Sequence, residues 1–367
     1  MNYNNYIELI SGQSKGFFAG VFYIILIAAS KIYAVIIRLR NFFYNKHIFA
    51  IHEVEAKVIS IGNITAGGTG KTPLVIWLCN ILTAEQRPNT KDCKLAILTR
   101  GYKIKQNKDQ RFFLADEPAI LAENCPKTNI VINPNRVIGA AEAIGKYDAN
   151  VLVLDDGFQH RRLARDLDIV TIDATCPFGY GRIIPAGLLR EPLNSLKRAD
   201  AIVITRCDQT SEAQLSQIED KLRNINPKLL IARSIHKPFH IKTIDNRQLS
   251  LEHFKNKKVF AFCGIGNPDS FINSLKNMDY DIVGTKIYDD HHNYTENCLA
   301  DLRKESQNMG SEIILTTQKD WTKIRRLESV KDLPLTYLVI EIKFLTGEDR
   351  LRCLIEDALT GKISRID

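Results

Sequence analysis

The sequence predicts an α/β protein with a doubly wound, mostly parallel sheet, an N-terminal membrane-associated helix and a smaller C-terminal α/β domain. Three observations lead to this prediction. Short apolar runs alternate with helical segments from about residue 55 onward, a glycine-rich loop follows the first of those runs, and a long apolar segment precedes it. Continuously apolar runs of this kind are typical of strands that are covered on both faces of a parallel sheet.

Length and composition are those of a folded globular protein. The 367 residues suffice for two domains of ordinary size or one large one, and 45% hydrophobic residues can form a sizeable core. The net charge of +8 fits an anionic partner, such as a nucleotide, a phospholipid surface or a phosphorylated substrate, without choosing among them. The eight cysteines are scattered with no CxxC pair, which argues against a zinc site and a disulfide framework and indicates a reducing compartment.

The most apolar stretch is residues 16–37, interrupted only by Lys31 and followed by Arg38, Arg40 and Lys46. A spanning helix needs about 20 apolar residues, so the length is marginal, and Lys31 is costly near the middle. We expect a helix that lies in one leaflet with its basic residues on anionic headgroups; the alternative is a buried core helix. The positive charges downstream place the body of the protein in the cytoplasm.

The glycine-rich loop lies within Lys57–Pro73, KVISIGNITAGGTGKTP, between an apolar strand and a helix. In such a loop backbone N–H groups point inward and a lysine reaches the β- and γ-phosphates, so we predict a variant P-loop that binds a nucleoside triphosphate. The alternative is a glycine-rich turn with no phosphate, since Thr65 stands where the strict pattern has glycine. The predicted nucleotide contacts are Thr65, Ala66, Gly67, Gly68, Thr69, Gly70, Lys71 and Thr72, and Thr72 also offers a hydroxyl to Mg²⁺.

Two series of strands follow the apolar segment. The first consists of Val58–Ile61, Leu95–Thr99, Ile130–Ile132, Val151–Leu154, Ile169–Ile172, Ala201–Thr205 and Leu229–Arg233. The second consists of Val259–Cys263, Ile282–Ile287, Ile313–Thr316 and Tyr337–Ile340. The chain turns polar between the two series, so we predict an N-terminal helix in residues 1–48, a P-loop core in residues 49–235 and a C-terminal domain in residues 236–367.

An apolar strand ends in two carboxylates, Asp155 and Asp156. In P-loop enzymes an acidic residue at such a strand end handles Mg²⁺, whereas the alternative for a paired Asp is a helix cap. The residues that follow add the side-chain amide of Gln159, which could join the metal shell, and the cations Arg161 and Arg162, which suit bidentate phosphate contacts.

Further candidates lie apart from these motifs. Asp116 precedes a helical segment and is either its cap or the base that takes the proton of an acceptor hydroxyl. Arg182 and Arg190 flank a glycine-bearing loop and could bind substrate charge, although a surface pair of Arg190 with Glu191 is the alternative. His291, in DDHHNY, is either a histidine oriented by a carboxylate for proton removal or a surface histidine.

A series of motifs resembles one family. SIGNITAGGTGKTP, RGYK, ADEPAILA, LDDGFQHRRL, PAGLLREPL, FCGIGNP, DDHHNY and TTQKDW occur in the order seen in tetraacyldisaccharide 4'-kinases, and the resemblance covers roughly residues 10–340. It implies transfer of the γ-phosphate of ATP to the 4'-hydroxyl of an acylated disaccharide 1-phosphate, giving lipid IVA for lipopolysaccharide. The expected location is the cytoplasmic face of the bacterial inner membrane, and we expect neither a nucleic acid nor an obligate protein partner.

The resemblance also implies roles for individual residues. By position, Lys71 lies on the phosphates, Asp116 is the base and His291 works with it. Asp155, Asp156, Gln159 and Glu191 match residues placed around Mg²⁺ and the phosphates. A competing hypothesis, a membrane-associated P-loop GTPase switch or metallochaperone, is favoured only by the Thr205–Asp208 turn, TRCD, which is weakly similar to the guanine-reading [NT]KxD turn, and by the apolar segment.

Overall fold

The computed structural model describes residues 3–14, 16–84, 93–101, 116–290 and 292–362. These residues form two compact units, and the chain passes from one unit to the other at residues 120–121, 235–236 and 341–342. The first unit takes in the described residues up to 101, together with 121–235 and 342–362, and the second takes in 116–120 and 236–341. The division therefore differs from the predicted boundaries, because the apolar N-terminal helix and the C-terminal residues both belong with the P-loop core.

The elements follow one another in α/β order. The helices are α1 (Tyr3–Ile10), α2 (Phe17–Asn45), α3 (Lys71–Leu82), α4 (Asp116–Asn124), α5 (Arg136–Tyr147), α6 (Glu212–Ile225), α7 (Pro268–Lys276), α8 (Glu296–Asn308), α9 (Gln318–Ile324) and α10 (Glu348–Leu359). The strands are β1 (Lys57–Asn63), β2 (Leu95–Thr99), β3 (Asn129–Ile132), β4 (Val151–Asp155), β5 (Leu167–Asp173), β6 (Ala201–Thr205), β7 (Leu230–Thr243), β8 (Gln248–Leu249), β9 (Lys258–Cys263), β10 (Asp281–Ile287), β11 (Ile313–Thr317) and β12 (Leu335–Thr346).

The sheet of the first unit has the strand order β7-β6-β5-β1-β4-β2-β3. Neighbouring strands in this order are parallel throughout. Val151 and Val153 of β4 join one hydrophobic cluster while Leu152 and Leu154 join another, so both faces of the sheet are buried. This confirms the doubly wound α/β fold, and it puts the end of β1 in the middle of the sheet, between β4 and β5.

The C-terminal residues return to the core of the first unit. Ile342 and α10, through Leu351 and Ile355, belong to the same hydrophobic cluster as the P-loop helix α3. The ring of Trp77 in α3 packs at a tilt against that of Phe344, with 4.8 Å between ring centroids, and its indole N–H donates to Glu348 Oε1 at 3.3 Å. Burial of this apolar face against α3 is the reason why the predicted C-terminal domain ends at residue 341 instead of 367.

The second unit is a smaller α/β unit with its own core. Its parallel strands follow the order β10-β9-β11-β12. The short strand β8 pairs antiparallel with the second half of β7, with Ile241 opposite Leu249. Aromatic residues fill much of the interior, and the rings of Trp321 and Tyr337 stack in parallel with 5.1 Å between centroids.

Helix α2 continues from the apolar stretch through the basic and aromatic residues 38–45, within the N-terminal segment predicted as residues 1–48. It is the one helix in the described part of the chain that is long and apolar enough to cross a membrane, judged by length and composition. Phe17 and Phe18 at its start are 80% and 86% exposed. Ala34, Ile37 and other residues on one face are buried, at a spacing of three, four or seven residues. The exposed apolar surface fits association with a membrane.

Candidate active site

The loop after β1 has the backbone of a phosphate cradle. Gly67 and Gly70 have φ values of +110° and +83°, in the left-handed region that glycine adopts at little cost. Gly70 is also the cap residue of α3, so the backbone N–H groups that open this helix face the loop. A Cβ added at Gly67 or Gly68 would touch no atom within 4 Å, so this side of the loop is open. The geometry is that of an anion site at a helix N-terminus.

Thr65, which departs from the strict glycine pattern, has a structural explanation. Its backbone forms an isolated antiparallel bridge with Leu189, and the next amide, that of Ala66, donates to Leu188 O at 2.7 Å. Residue 65 is therefore in extended backbone, which threonine adopts readily and which does not require glycine. The variant loop is held by a neighbouring loop, residues 182–190, instead of by a tighter turn of its own.

A chain of buried polar groups supports the loop from below. Asn63 Nδ2 donates to Thr69 Oγ1 at 3.0 Å, and that hydroxyl also pairs with Thr171 Oγ1 at 2.8 Å. Thr205 Oγ1 donates to the backbone carbonyl of Thr69 at 3.0 Å. These supports were not predicted as site residues. The signal for them in the sequence is a polar residue within or at the end of an otherwise apolar strand.

The structure brings three predicted site residues together beside the loop. Lys71 Nζ lies 3.4 Å from Asp156 Oδ1, and Arg190 Nη1 lies 2.9 Å from both oxygens of Asp156. Burial alone would raise the pKa of this carboxyl, but Lys71 and Arg190 outweigh burial and hold its pKa well below the usual range. Asp156 is therefore ionised, and it keeps both cations at the phosphate cradle.

Two more predicted residues join this group. Gln159 accepts from Arg190 Nη1 at 3.4 Å through Oε1 and donates to Asn63 O at 2.9 Å through Nε2. Asp155, only 2% exposed, accepts a hydrogen bond from Thr99 Oγ1 at 3.2 Å. The end of β4, the start of α3 and the loop before β6 thus meet at one edge of the sheet.

The donor atoms at this edge fit a magnesium ion. Mg²⁺ takes oxygen ligands and usually keeps several waters, with one or two carboxylates and substrate phosphates. Thr72, Asp155, Asp156 and Gln159 offer such oxygens, and the buried Asn63 Oδ1 has no hydrogen-bond partner in the described part of the chain. The described part of the chain contains no group of three or more His, Cys, Asp or Glu side chains that could hold a metal ion unaided. Phosphates and water would have to complete the shell.

Other predicted residues lie elsewhere. Glu191 is fully buried, and its partners are Arg198, Asn41 and Ser195, none of which is in the predicted metal set. Burial opposes its ionisation, but Arg198 and Asn41 hold its pKa below the usual value. Arg161 donates to Asn41 O and to Asn45 Oδ1 at 3.1 and 2.8 Å. The metal role of Glu191 stays a prediction that these contacts do not support.

The predicted arginine contacts differ in accessibility. Arg162 and Arg182 are exposed, and Arg190 is partly buried. Asp116 is the first residue of α4, but its side chain is not among the described ones, and His291 lies outside the described residues. Their meeting over an acceptor hydroxyl, like the phosphate contacts of the exposed arginines, stays a prediction.

A basic cavity adjoins the DDGFQHR segment and was not predicted. It has a volume of about 330 Å³ and is lined by Pro134, Asn135, Arg136, Val137, His160, Arg162 and Leu163. Arg136 is 3% exposed, and its Nε has no partner among the described residues, while its Nη2 donates to Asp155 O at 3.1 Å. Burial, with help from Arg136, lowers the pKa of His160 to about 4. The cavity therefore suits an anionic group.

A parallel sheet with this loop at its central strand, a lysine in the first turn of the next helix and an aspartate pair at the adjacent strand end defines a P-loop nucleotide-binding protein. The model of the family described as tetraacyldisaccharide-1-P 4'-kinase matches residues 22–360. The chain belongs to this family, and the resemblance noted in the sequence is confirmed.

Named relatives are similar to this chain in sequence over most of their length. The tetraacyldisaccharide 4'-kinase of Halothermothrix orenii is 35% identical over 343 residues, 87% of this chain and 88% of the relative. That of Syntrophus aciditrophicus is 36% identical, over 88% of this chain and 89% of the relative. The crystal structure of LpxK from Aquifex aeolicus in complex with ATP has a TM-score of 0.69 and 28% identity, covering 92% of this chain and 99% of that chain. The protein is thus an ATP-dependent kinase of lipid A biosynthesis, which removes the GTPase or metallochaperone hypothesis.

Proposed function

We propose that this kinase transfers the γ-phosphate of ATP to the 4'-hydroxyl of a tetraacylated disaccharide 1-phosphate, giving lipid IVA, at the cytoplasmic face of the inner membrane. The observation that carries the proposal is the cluster of Lys71, Asp156 and Arg190 at an open phosphate cradle. The same chain carries an exposed apolar helix, as an enzyme with a bilayer-bound acceptor requires.

The cluster supplies what phosphoryl transfer needs. This reaction depends mainly on positioning and on stabilising the charge of the transferred group. Lys71 can move from Asp156 to the β- and γ-phosphates, and Arg190 can do the same from the other side of the carboxylate. Thr72, Asp155 and Asp156 would hold Mg²⁺, which would supply positive charge to neutralise the charge that develops on the transferred group.

Asp116 and His291 are proposed as the groups that remove the proton from the acceptor hydroxyl. The cavity beside His160 supports a phosphorylated acceptor, because Arg136 and Arg162 in its lining add cationic groups beyond those that face the nucleotide loop. The exposed phenylalanines at the start of α2 support a lipid surface as the place where donor and acceptor meet.

A labelling assay tests the reaction. Purified protein is incubated with γ-labelled ATP, Mg²⁺ and the tetraacylated disaccharide 1-phosphate in mixed micelles. We expect label in the lipid fraction, and ³¹P and proton spectra that locate the new phosphate on the 4' oxygen. A folded, ATP-binding preparation that leaves the lipid unlabelled would contradict the proposal. Label at another position would contradict the regiochemistry alone.

Asp116→Ala separates the two roles considered for this residue. If Asp116 is the base, kcat falls by about 10²-fold or more, because general base catalysis contributes that much, while the affinity for ATP is kept. Stopped assays and ATP titration give the two numbers. The role as a cap of α4 would instead appear as a lower melting temperature with nearly normal kcat.

A further inference from the structure

A buried glutamate joins the apolar helix to the chain segment that carries Arg190. Glu191 accepts from Arg198 twice, with Nη1–Oε2 and Nη2–Oε1 distances of 3.2 and 3.3 Å. Asn41 of α2 donates from Nδ2 to the same Oε2 at 2.8 Å. A carboxylate with no exposed surface is stable only when such partners replace water. The three side chains therefore hold one another in place.

Arg198 also contacts the segment that follows the aspartate pair of the site. The guanidinium of Arg198 lies 4.3 Å from the ring centroid of Phe158, and its Nη2 is 3.4 Å from Phe158 O. Phe158 is fully buried and comes two residues after Asp156. It also packs against β1, since a Cβ added at Gly62 would lie only 2.5 Å from its Cβ. Arg198 thus links Glu191 to the backbone that presents Asp156.

A second contact from α2 reaches the same segment. The guanidinium of Arg40 donates to the backbone carbonyl of Gln159, and Gln159 in turn donates to Asn63 O at 2.9 Å. Arg40 and Asn41 are consecutive residues near the docked end of α2. One short part of this helix therefore contacts both segments that supply side chains to the phosphate site.

We propose that Asn41, Glu191 and Arg198 are positioning residues that hold Arg190 at Asp156, so that the docked end of α2 is part of the catalytic scaffold. The inference rests on the proposed function, because that function gives Arg190 its task. Arg190 N donates to Ile64 O at 2.8 Å, which ties the same segment to the start of the loop. Glu191 is the next residue, so release of its carboxylate frees the backbone that aims Arg190.

This role predicts an effect on rate and not on affinity. A displacement of about 1 Å in a group that stabilises the transition state costs up to about 100-fold in rate. It differs from the Mg²⁺ role that the family resemblance implies for Glu191. A metal ligand would weaken Mg²⁺ binding when it is lost, whereas a positioning residue would leave the Mg²⁺ dependence as it is.

Two variants and one matched control test the proposal. Asn41→Ala removes the bonds to Glu191 and Ser195, and Glu191→Gln keeps an oxygen for Asn41 but removes the charge that Arg198 needs. Ser30→Ala is the control, because it removes a buried bond of 2.7 Å between α2 and Ile183 O without touching Glu191. Each protein is studied as the full chain, by hydrogen exchange with ATP and Mg²⁺ present and by kinase kinetics over a range of Mg²⁺ concentration.

In Asn41→Ala and Glu191→Gln we expect the Arg190 amide to exchange at least about tenfold faster, kcat to fall between about 10- and 100-fold, and the KM for ATP to change less than twofold. Ser30→Ala should lower the melting temperature without these changes. Rescue of Glu191→Gln by excess Mg²⁺, or exchange at Arg190 equal to that of Ser30→Ala, would overturn the proposal. Hydrogen exchange needs no acceptor, so it decides the question even if the wild-type protein fails to label the lipid.

Discussion

Replacement of Lys71 should lower the rate of phosphoryl transfer strongly while the protein stays folded. The side chain of Lys71 is 12% exposed and, among the described residues, forms an ion pair with Asp156, which also has its own bond to Arg190, so the fold should survive Lys71→Ala with Asp156 still paired. The rate should fall by 10²-fold or more, since a cation aimed at developing charge is removed. Label transfer and thermal melting measure the two effects.

The matched control for this variant is Lys57→Ala. Lys57 begins the same strand that leads into the loop and pairs with Asp166 at 2.9 Å, but it lies at the opposite end of that strand. We expect its turnover to stay within about twofold of wild type, because a half-exposed ion pair contributes little. Wild-type turnover in Lys71→Ala at saturating ATP would mean that the loop does not bind the triphosphate as described.

The eight thiols differ in the availability of their thiolates. Burial raises the pKa of Cys207 to about 11 and that of Cys263 to about 12, whereas Cys353 is exposed on α10. A raised pKa means that the reactive thiolate is scarce, about one part in a thousand for Cys207 at pH 8. Brief alkylation followed by mass spectrometry should therefore label Cys353 first. Early labelling of Cys207 or Cys263 would show that the core opens readily.

At the scale of single elements, the contact of β1 with the DDGFQHR segment has little spare room. A Cβ on Gly62 would lie 2.5 Å from the Cβ and 2.6 Å from the N of Phe158, so Gly62→Ala must displace backbone. Overpacking of this kind costs typically 1–3 kcal/mol. We expect a lower urea midpoint and a weaker site, because Phe158 follows the aspartate pair.

Gly145→Ala is the control for that variant. Gly145 lies inside α5, is exposed, and has nothing within 4 Å of an added Cβ. Replacing a glycine in an open helix position should stabilise the protein by about 0.5–1 kcal/mol. If both variants shift the urea midpoint in the same direction, the packing of Phe158 against β1 is not the reason why residue 62 must be glycine.

The strands could be predicted from the sequence, whereas the contacts of α2 with the core could not. Runs such as Val151–Leu154 stay apolar because both faces of the sheet are buried, and this pattern is local in sequence. The docking of residues 38–45 of α2 depends on partners far along the chain, such as Glu191, which is 150 residues from Asn41. Residues 38–45 alone have the composition of a membrane flank, so their contacts with the core could not be predicted from them.

At the scale of the whole molecule, the sequence located the nucleotide half of the site better than its supports. The glycine loop, Lys71 and Asp156 are motif residues whose spacing reflects one local geometry. Asn63 and Thr171 stand out in the sequence only as polar residues of apolar strands, and Arg136 acts through a contact with the backbone of Asp155, 19 residues away. Residues 342–362 belong to the first unit because of packing between distant parts of the sequence. The apolar face of α10 packs in the same hydrophobic cluster as α3.

Helix α2 also acts as a stiff rod. Between Val21 and Asn45 it has neither glycine nor proline, and it is one unbroken helix of 29 residues in all, which corresponds to a length of about 43 Å. In the proposed membrane-bound state this helix is fixed to the core near Asn41 and Tyr44 and lies in the bilayer at Phe17 and Phe18, and a sharp kink between these ends would break backbone hydrogen bonds. We therefore expect the tilt of the helix in the bilayer to set the angle at which the phosphate site faces the membrane.

Ile32→Pro tests this consequence, with Ile32→Ala as its control. Ile32 is 64% exposed, so proline removes a helical hydrogen bond and introduces a kink without disturbing a packed side chain. We expect activity on acceptor in vesicles to fall about tenfold or more, because orientation toward the bilayer is lost, while activity on detergent-dispersed acceptor is largely kept. Equal losses of activity in both assays would contradict the idea that a straight α2 orients the site toward the bilayer. On this proposal, the intact helix gives the enzyme a fixed orientation toward its lipid substrate.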